Sequence, residues 1–120
     1  LTKLIMDEGW RPLYFTADTL ARDLASAYKK RWGHEQLMEK LFTRQILVID
    51  DLGKEKPTER MMEDIFGIVR ERTDNLLPLI ITTNFVGDGL VDRYPDPEMA
   101  KPMLRRLREF CDLVNIGGEK

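Results

Sequence analysis

Asp50 and Asp51 stand directly after an unbroken apolar run, Ile46-Leu47-Val48-Ile49. In open α/β sheets ligands gather at the carboxyl ends of the strands, so such a run delivers two carboxylates to the ligand edge. An unpaired charge is costly there. Mg²⁺, which takes one or two carboxylates together with phosphate oxygens, is a partner that suits the pair. The same two residues would serve equally well to cap a strand and begin a turn. Asn84 closes the next apolar run, Ile80-Ile81-Thr82-Thr83-Asn84. If the two runs are neighbouring strands, its amide lies beside the acids, where it could orient a water or touch a terminal phosphate. Alone, an Asn after a strand is an ordinary turn residue. Two strand ends of this kind with a helix between them point together to a nucleotide site. Lys101, Arg105, Arg106 and Arg108 add positive charge before the last apolar run. They form either a solvated helix face or a source of one arginine that reaches a phosphate in a neighbouring subunit.

The remaining reactive types are isolated. His34 is the single histidine, has no cluster of partners around it in sequence, and reads as structural. Cys111 borders an apolar stretch and reads as core. Trp10 and Trp32 fall near helix ends, where they are expected to pack at edges. No glycine begins a G-x-x-x-x-G-K-S/T run. Without that cradle of backbone N–H groups, these residues alone should not hold a triphosphate well.

The elements that must position these groups alternate between strand and helix. Residues 1–8 are amphipathic and stop at Gly9, and residues 13–15 make a short strand. Asp18 is placed to cap a helix carrying Leu20, Leu24, Ala27 and Tyr28, with Gly33 ending it; residues 35–42 form a second short helix. Residues 45–52 read as a strand apolar on both faces, which belongs in the middle of a parallel sheet. Pro57-Thr58 opens a helix whose stripe is Met61, Met62, Ile65, Phe66 and Val69. Residues 79–83 form another strand. A loop with Gly87, Gly89, Pro95 and Pro97 leads to a helix over 99–110 and a last strand over 112–116. This alternation implies a three-layer α/β fold with a parallel sheet and right-handed crossovers.

Composition narrows the function classes. In 120 residues, 42% apolar and 33% charged, a packed core is feasible and disorder is not the default. A net charge of -2 excludes gripping nucleic acid by bulk charge while allowing a local basic patch. The longest apolar runs are far too short to span a membrane. One cysteine allows no internal disulfide, which fits a reducing, cytoplasmic compartment.

The run 46–53, Ile-Leu-Val-Ile-Asp-Asp-Leu-Gly, resembles a Walker B strand, and 80–84 resembles the sensor 1 strand of AAA+ ATPases. Residues 104–111, followed by Val114 and Gly118, are similar to the closing segment of bacterial replicative-helicase loaders of the DnaC/DnaI type. The transposition ATPases of the IstB type share that pattern. Glu55 and Arg72 also fall where these families carry an acid and an arginine.

The resemblance implies a P-loop NTPase fold, incomplete here. The Walker A loop and first core strand are expected upstream of Leu1, and residues 1–120 are expected to be a single partial AAA+ domain. It implies ATP and Mg²⁺ as cofactors, with Asp50 holding the metal and Asp51 activating the attacking water. Asn84 would sense the γ-phosphate, and Arg106 would act in trans as the finger, although Arg105 precedes it where the family has a small residue. The implied partners are a replicative DNA helicase, single-stranded DNA and further copies of the same chain, with no membrane. Lys29, Lys30, Arg31, Lys40 and Arg44, around the two helices between the first strands, would meet the DNA backbone or simply be solvated. Two other functions remain open at this level: a transposase partner acting on duplex DNA, and a non-catalytic module with vestigial acids. A receiver-like domain would share the acid pair, but it needs a phosphoacceptor Asp and a Lys at later strand ends, and residues 79–84 supply neither.

Overall fold

The computed structural model describes residues 12–54, 58–85 and 88–114. The amphipathic segment 1–8, Trp10 and Glu55 lie outside them. Three strands, β1 (Leu13–Thr16), β2 (Leu47–Asp50) and β3 (Leu79–Ile81), form one parallel sheet in the order β1-β2-β3. Helices α1 (Ala17–Ala27) and α2 (Gly33–Thr43) separate β1 from β2. Helix α3 (Glu59–Asp74) separates β2 from β3, and α4 (Asp88–Val91) and α5 (Pro97–Phe110) follow.

The expectation that the 46–49 run is central holds. Leu47 and Ile49 are fully buried and Val48 nearly so, although they point to opposite faces. Register fixes what else shares each face: Leu13 pairs with Leu47, Phe15 with Ile49, and these in turn with Leu79 and Ile81. That face joins one core cluster with Leu20, Leu24 and Leu41 of α1 and α2, Met62, Ile65 and Val69 of α3, and Met103 of α5. Right-handed crossovers that step twice in one direction put their helices on the same side of the sheet, and the core follows. The opposite face carries Tyr14, Val48 and Ile80, which do not join that cluster.

Local chemistry sets the boundaries, with four corrections. Thr16, not Asp18, caps α1: its hydroxyl accepts from Thr19 N at 3.0 Å, because the strand leads into the helix with no intervening loop. Gly33 begins α2 instead of ending α1, since α1 closes at Ala27 and a short turn intervenes. Residues 112–114 make no strand, and the rest of that expected strand lies outside the described residues. The opening of α3 is as expected, with the Thr58 hydroxyl accepting from Met61 N at 3.2 Å. The short helix α4 stands where a loop was expected.

One buried cation ties the edge where β2 and β3 begin. Arg72, near the end of α3, is fully buried and donates to Leu41 O at 3.0 Å, Gln45 O at 3.2 Å and Pro78 O at 2.6 Å. Burial pulls its pKa down from the ordinary value, yet a guanidinium stays protonated in proteins. Arg72 is thus a structural clasp between α2 and the entries of two strands. His34 is structural as expected: Nε2 lies 3.1 Å from the buried Asp64 carboxylate, and the ring stacks on Tyr28 at 3.9 Å.

Candidate functional site at the carboxyl edge of the sheet

β2 ends at Asp50, and the chain turns at once. Asp51 takes a left-handed conformation with φ 59°, unusual for a residue with a Cβ but tolerated by Asp. Leu52 is then fully buried, and Gly53 has φ 103°. A Cβ at Gly53 would stand 2.7 Å from the Phe85 ring, so only glycine lets the two post-strand loops approach this closely.

β3 continues alongside that turn. Thr82 N donates to Ile49 O at 3.0 Å, and Leu52 N donates to Thr82 O at 2.8 Å. The Thr82 hydroxyl accepts from Asp51 N at 3.0 Å and donates to Asp50 Oδ1. From the other flank, the Tyr14 phenol donates to Asp50 Oδ2 at 2.7 Å. Both oxygens of Asp50 are therefore held, one from each neighbouring strand. The Thr82 hydroxyl, and after it Tyr14, hold the Asp50 carboxyl below the usual carboxylate value against an opposing effect of burial. The Tyr14 phenol is raised in turn, chiefly by its bond to Asp50.

Of the residues singled out from sequence, the fold brings Asp50 and Asp51 to one edge beside the β3 strand end. Asn84 is exposed two residues beyond Thr82 and makes no hydrogen bond among the described residues. Thr82 occupies the place beside the acids where the amide was expected. Register explains it: Ile49 pairs with Ile81, so Thr82 falls opposite Asp50, on the face it shares with Tyr14, Val48 and Ile80, while Asn84 lies two residues further along. Neither Tyr14 nor Thr82 carries a sequence signal of its own. Arg93 was also missed. Its Nε donates to Gly53 O at 2.7 Å and its guanidinium lies 5.1 Å from the Phe85 ring centroid, joining the loop after Asp51 to the loop after Asn84.

Arg106 sits elsewhere. It donates to Thr73 Oγ1 at 3.3 Å and pairs with Asp74, at the end of α3 that delivers the chain to the start of β3. That is the opposite edge of the sheet from Asp50, so Arg106 cannot serve the acids of its own chain. Arg105 and Arg108 on the same helix are exposed and hold no ion pair among the described residues.

The basic residues around α2 also divide. Lys29, Lys30 and Arg31 lie in the turn before α2, and Lys40 and Arg44 at its far end, about 16 Å away along an 11-residue helix. Trp32, expected to pack at an edge, is 58% exposed instead, in a left-handed conformation beneath Arg31.

The donor set fits magnesium arriving with nucleotide phosphates. Each Asp50 oxygen accepts one hydroxyl and keeps a further lone pair, the carboxyl is held ionised, and one or two carboxylates suffice for that ion. Among the described residues no cluster of three or more acid, His or Cys side chains forms a cage for a metal by itself.

The parallel α/β sheet with its acid-bearing central strand matches the AAA+ type of P-loop fold in solved structures. The DnaC helicase loader superposes with a TM-score of 0.75 at 23% identity, covering 95% of this chain and 66% of that one. The replication initiator DnaA, bound to AMPPCP and single-stranded DNA, gives 0.68 at 18% identity over 92% of this chain and 40% of that one. At these identities the likeness is one of fold. The family profile described as IstB-like ATP binding protein matches residues 2–120, and the chain belongs to that family. An insertion-sequence protein of Mycobacterium tuberculosis, named for ATP binding, is 28% identical over 97 residues. That alignment takes in 80% of this chain and 38% of the relative, so the chain spans well under half of the curated protein it matches. Among the described residues no helix is long and apolar enough to cross a membrane.

Proposed function

We propose that this chain supplies the hydrolytic edge of an AAA+ ATPase that assists transposition, acting on DNA with a transposase. The observation that carries the ATPase reading is the Asp50–Asp51 pair at the end of the central strand, with Asp50 held from both neighbouring strands. In this reading Asp50 holds the magnesium ion of the nucleotide, Asp51 activates water, Asn84 senses the terminal phosphate, and an arginine of α5 completes the site of a second copy. Residues 1–120 would be a single partial domain, and the phosphate cradle would come from chain beyond these residues. Catalysis would be mostly positioning and charge stabilisation. Family membership and the insertion-sequence relative favour transposition over replication.

The second reading, loading of a replicative helicase onto single-stranded DNA, draws support from the fold shared with DnaC. The exposed Trp32 beside Lys29, Lys30 and Arg31 is a surface on which a base could stack while the cations meet the backbone.

The test is ATP turnover by the complete protein. Asp51→Asn should abolish turnover and spare ATP binding. A finger contributes about 10³–10⁵ in kcat, whereas a partly exposed ion pair contributes about 1 kcal/mol or less to stability. Arg106→Glu should therefore abolish turnover, and Arg106→Glu with Asp74→Arg should restore the pair without restoring turnover. Full activity of the swapped protein would reduce Arg106 to its pairing role and shift the finger to Arg105 or Arg108. Unchanged turnover in Asp51→Asn would remove Asp51 from the reaction, and no ATP turnover by the complete wild-type protein would end the ATPase reading.

A further inference from the structure

Among the described residues, Tyr14 is not part of the core that packs the sheet. It is 45% exposed, and it lies on the sheet face that does not join the main core cluster. Its register partner is Val48, yet its phenol reaches diagonally to the residue two further along β2, donating to Asp50 Oδ2 at 2.7 Å. Thr82 donates to the other oxygen from the opposite strand. A carboxylate rotates readily about its last bond, because that torsion has no sharp staggered wells. One hydrogen bond leaves the plane free to twist, while two from opposite flanks fix it. The lone pair left on each oxygen then has a set direction.

We propose that Tyr14 is a positioning residue that holds the Asp50 carboxylate plane so that its free lone pairs meet a divalent cation carried by a nucleotide. The proposal rests on the ATPase reading above and names a residue that reading does not contain. Partners that orient a metal-binding side chain typically change metal affinity about 10- to 100-fold when removed. Phenylalanine at position 14 keeps the ring and removes only the donor.

The experiment compares the complete wild-type protein with Tyr14→Phe, Thr82→Val and Asp50→Asn. Calorimetry measures binding of AMPPCP with and without Mg²⁺, across a range of Mg²⁺ concentrations, and the melting temperature is recorded without nucleotide. Tyr14→Phe is expected to raise the Mg²⁺ concentration for half-maximal enhancement of binding about 10-fold. Metal-free binding and melting should remain at wild-type values. Thr82→Val should shift the Mg²⁺ dependence in the same direction. An equal loss of metal-free and metal-dependent binding in Tyr14→Phe would make its role merely structural and overturn the proposal. An unchanged Mg²⁺ dependence in Tyr14→Phe, with a shifted one in Asp50→Asn, overturns the positioning role alone. An unchanged dependence in both removes Asp50 from the metal and overturns this proposal, whereas no binding of AMPPCP by the wild-type protein overturns the ATPase reading itself.

Discussion

Replacing Arg72 with methionine tests whether the edge where β2 and β3 begin is held by one buried guanidinium. Methionine keeps much of the volume and removes every donor. Pro78 O retains Leu47 N at 3.3 Å as a donor, but Leu41 O and Gln45 O lose the guanidinium contacts at 3.0 and 3.2 Å. The buried Leu41 O left without a donor costs about 1–3 kcal/mol, and loss of the part-buried, charge-assisted bonds to Gln45 O and Pro78 O adds to that. Relief from burying the cation offsets part of the total. The Nε of Arg72, which has no partner among the described residues, marks how incompletely that cation is compensated. The net expectation is a loss of about 3 kcal/mol, a large fraction of the ~5–15 kcal/mol that holds a typical domain together. Arg72→Lys should fall between wild type and Arg72→Met, because an ammonium lacks the planar fork that spans three carbonyls. Urea unfolding of the complete protein, read from the midpoint at constant slope, measures this directly. A loss below about 1 kcal/mol for Arg72→Met would refute the clasp.

Gly53→Ala should destabilise by about 1–3 kcal/mol, since φ 103° suits glycine alone and the new methyl would meet Phe85; thermal or urea unfolding checks it, and a neutral effect would contradict the close approach of the two loops. Stability should also fall in acid partly through Asp50. Its folded pKa lies below the ordinary 3.8, so its contribution is present above that value and lost as pH drops through it and lower. Thr82→Val removes the largest cause of that shift and should make the fall in unfolding free energy below pH 3.8 shallower. An identical acid limb would show that Thr82 does not hold the carboxylate.

Much of the fold was legible because it is written in local patterns. A strand apolar at four consecutive positions has to be covered on both faces, and β2 is. The Thr58 cap and the stripe from Met61 to Val69 placed α3, since a helix is set by its end chemistry and a 3.6-residue period. Boundaries were less legible where one element runs straight into another, as at Thr16 and Ala17. Trp32 shows the limit of reading a residue by type: an aromatic near a helix end was expected to pack, and it is exposed because a left-handed turn holds it at the surface.

The chain by itself determined that two acids stand at the end of a central strand, because apolar character and the position of the first charges fix where such a strand stops. Only tertiary structure decided what those acids touch. Tyr14 and Thr82 lie 36 and 32 residues from Asp50, and they meet it only because parallel pairing sets a register that puts all three on one face. A one-residue slip in that pairing would turn each side chain to the other face, and no local pattern specifies it. The same holds for Arg106, whose sequence neighbourhood suggests a contact to nucleotide, while helix packing brings it to Thr73 and Asp74 at the far edge.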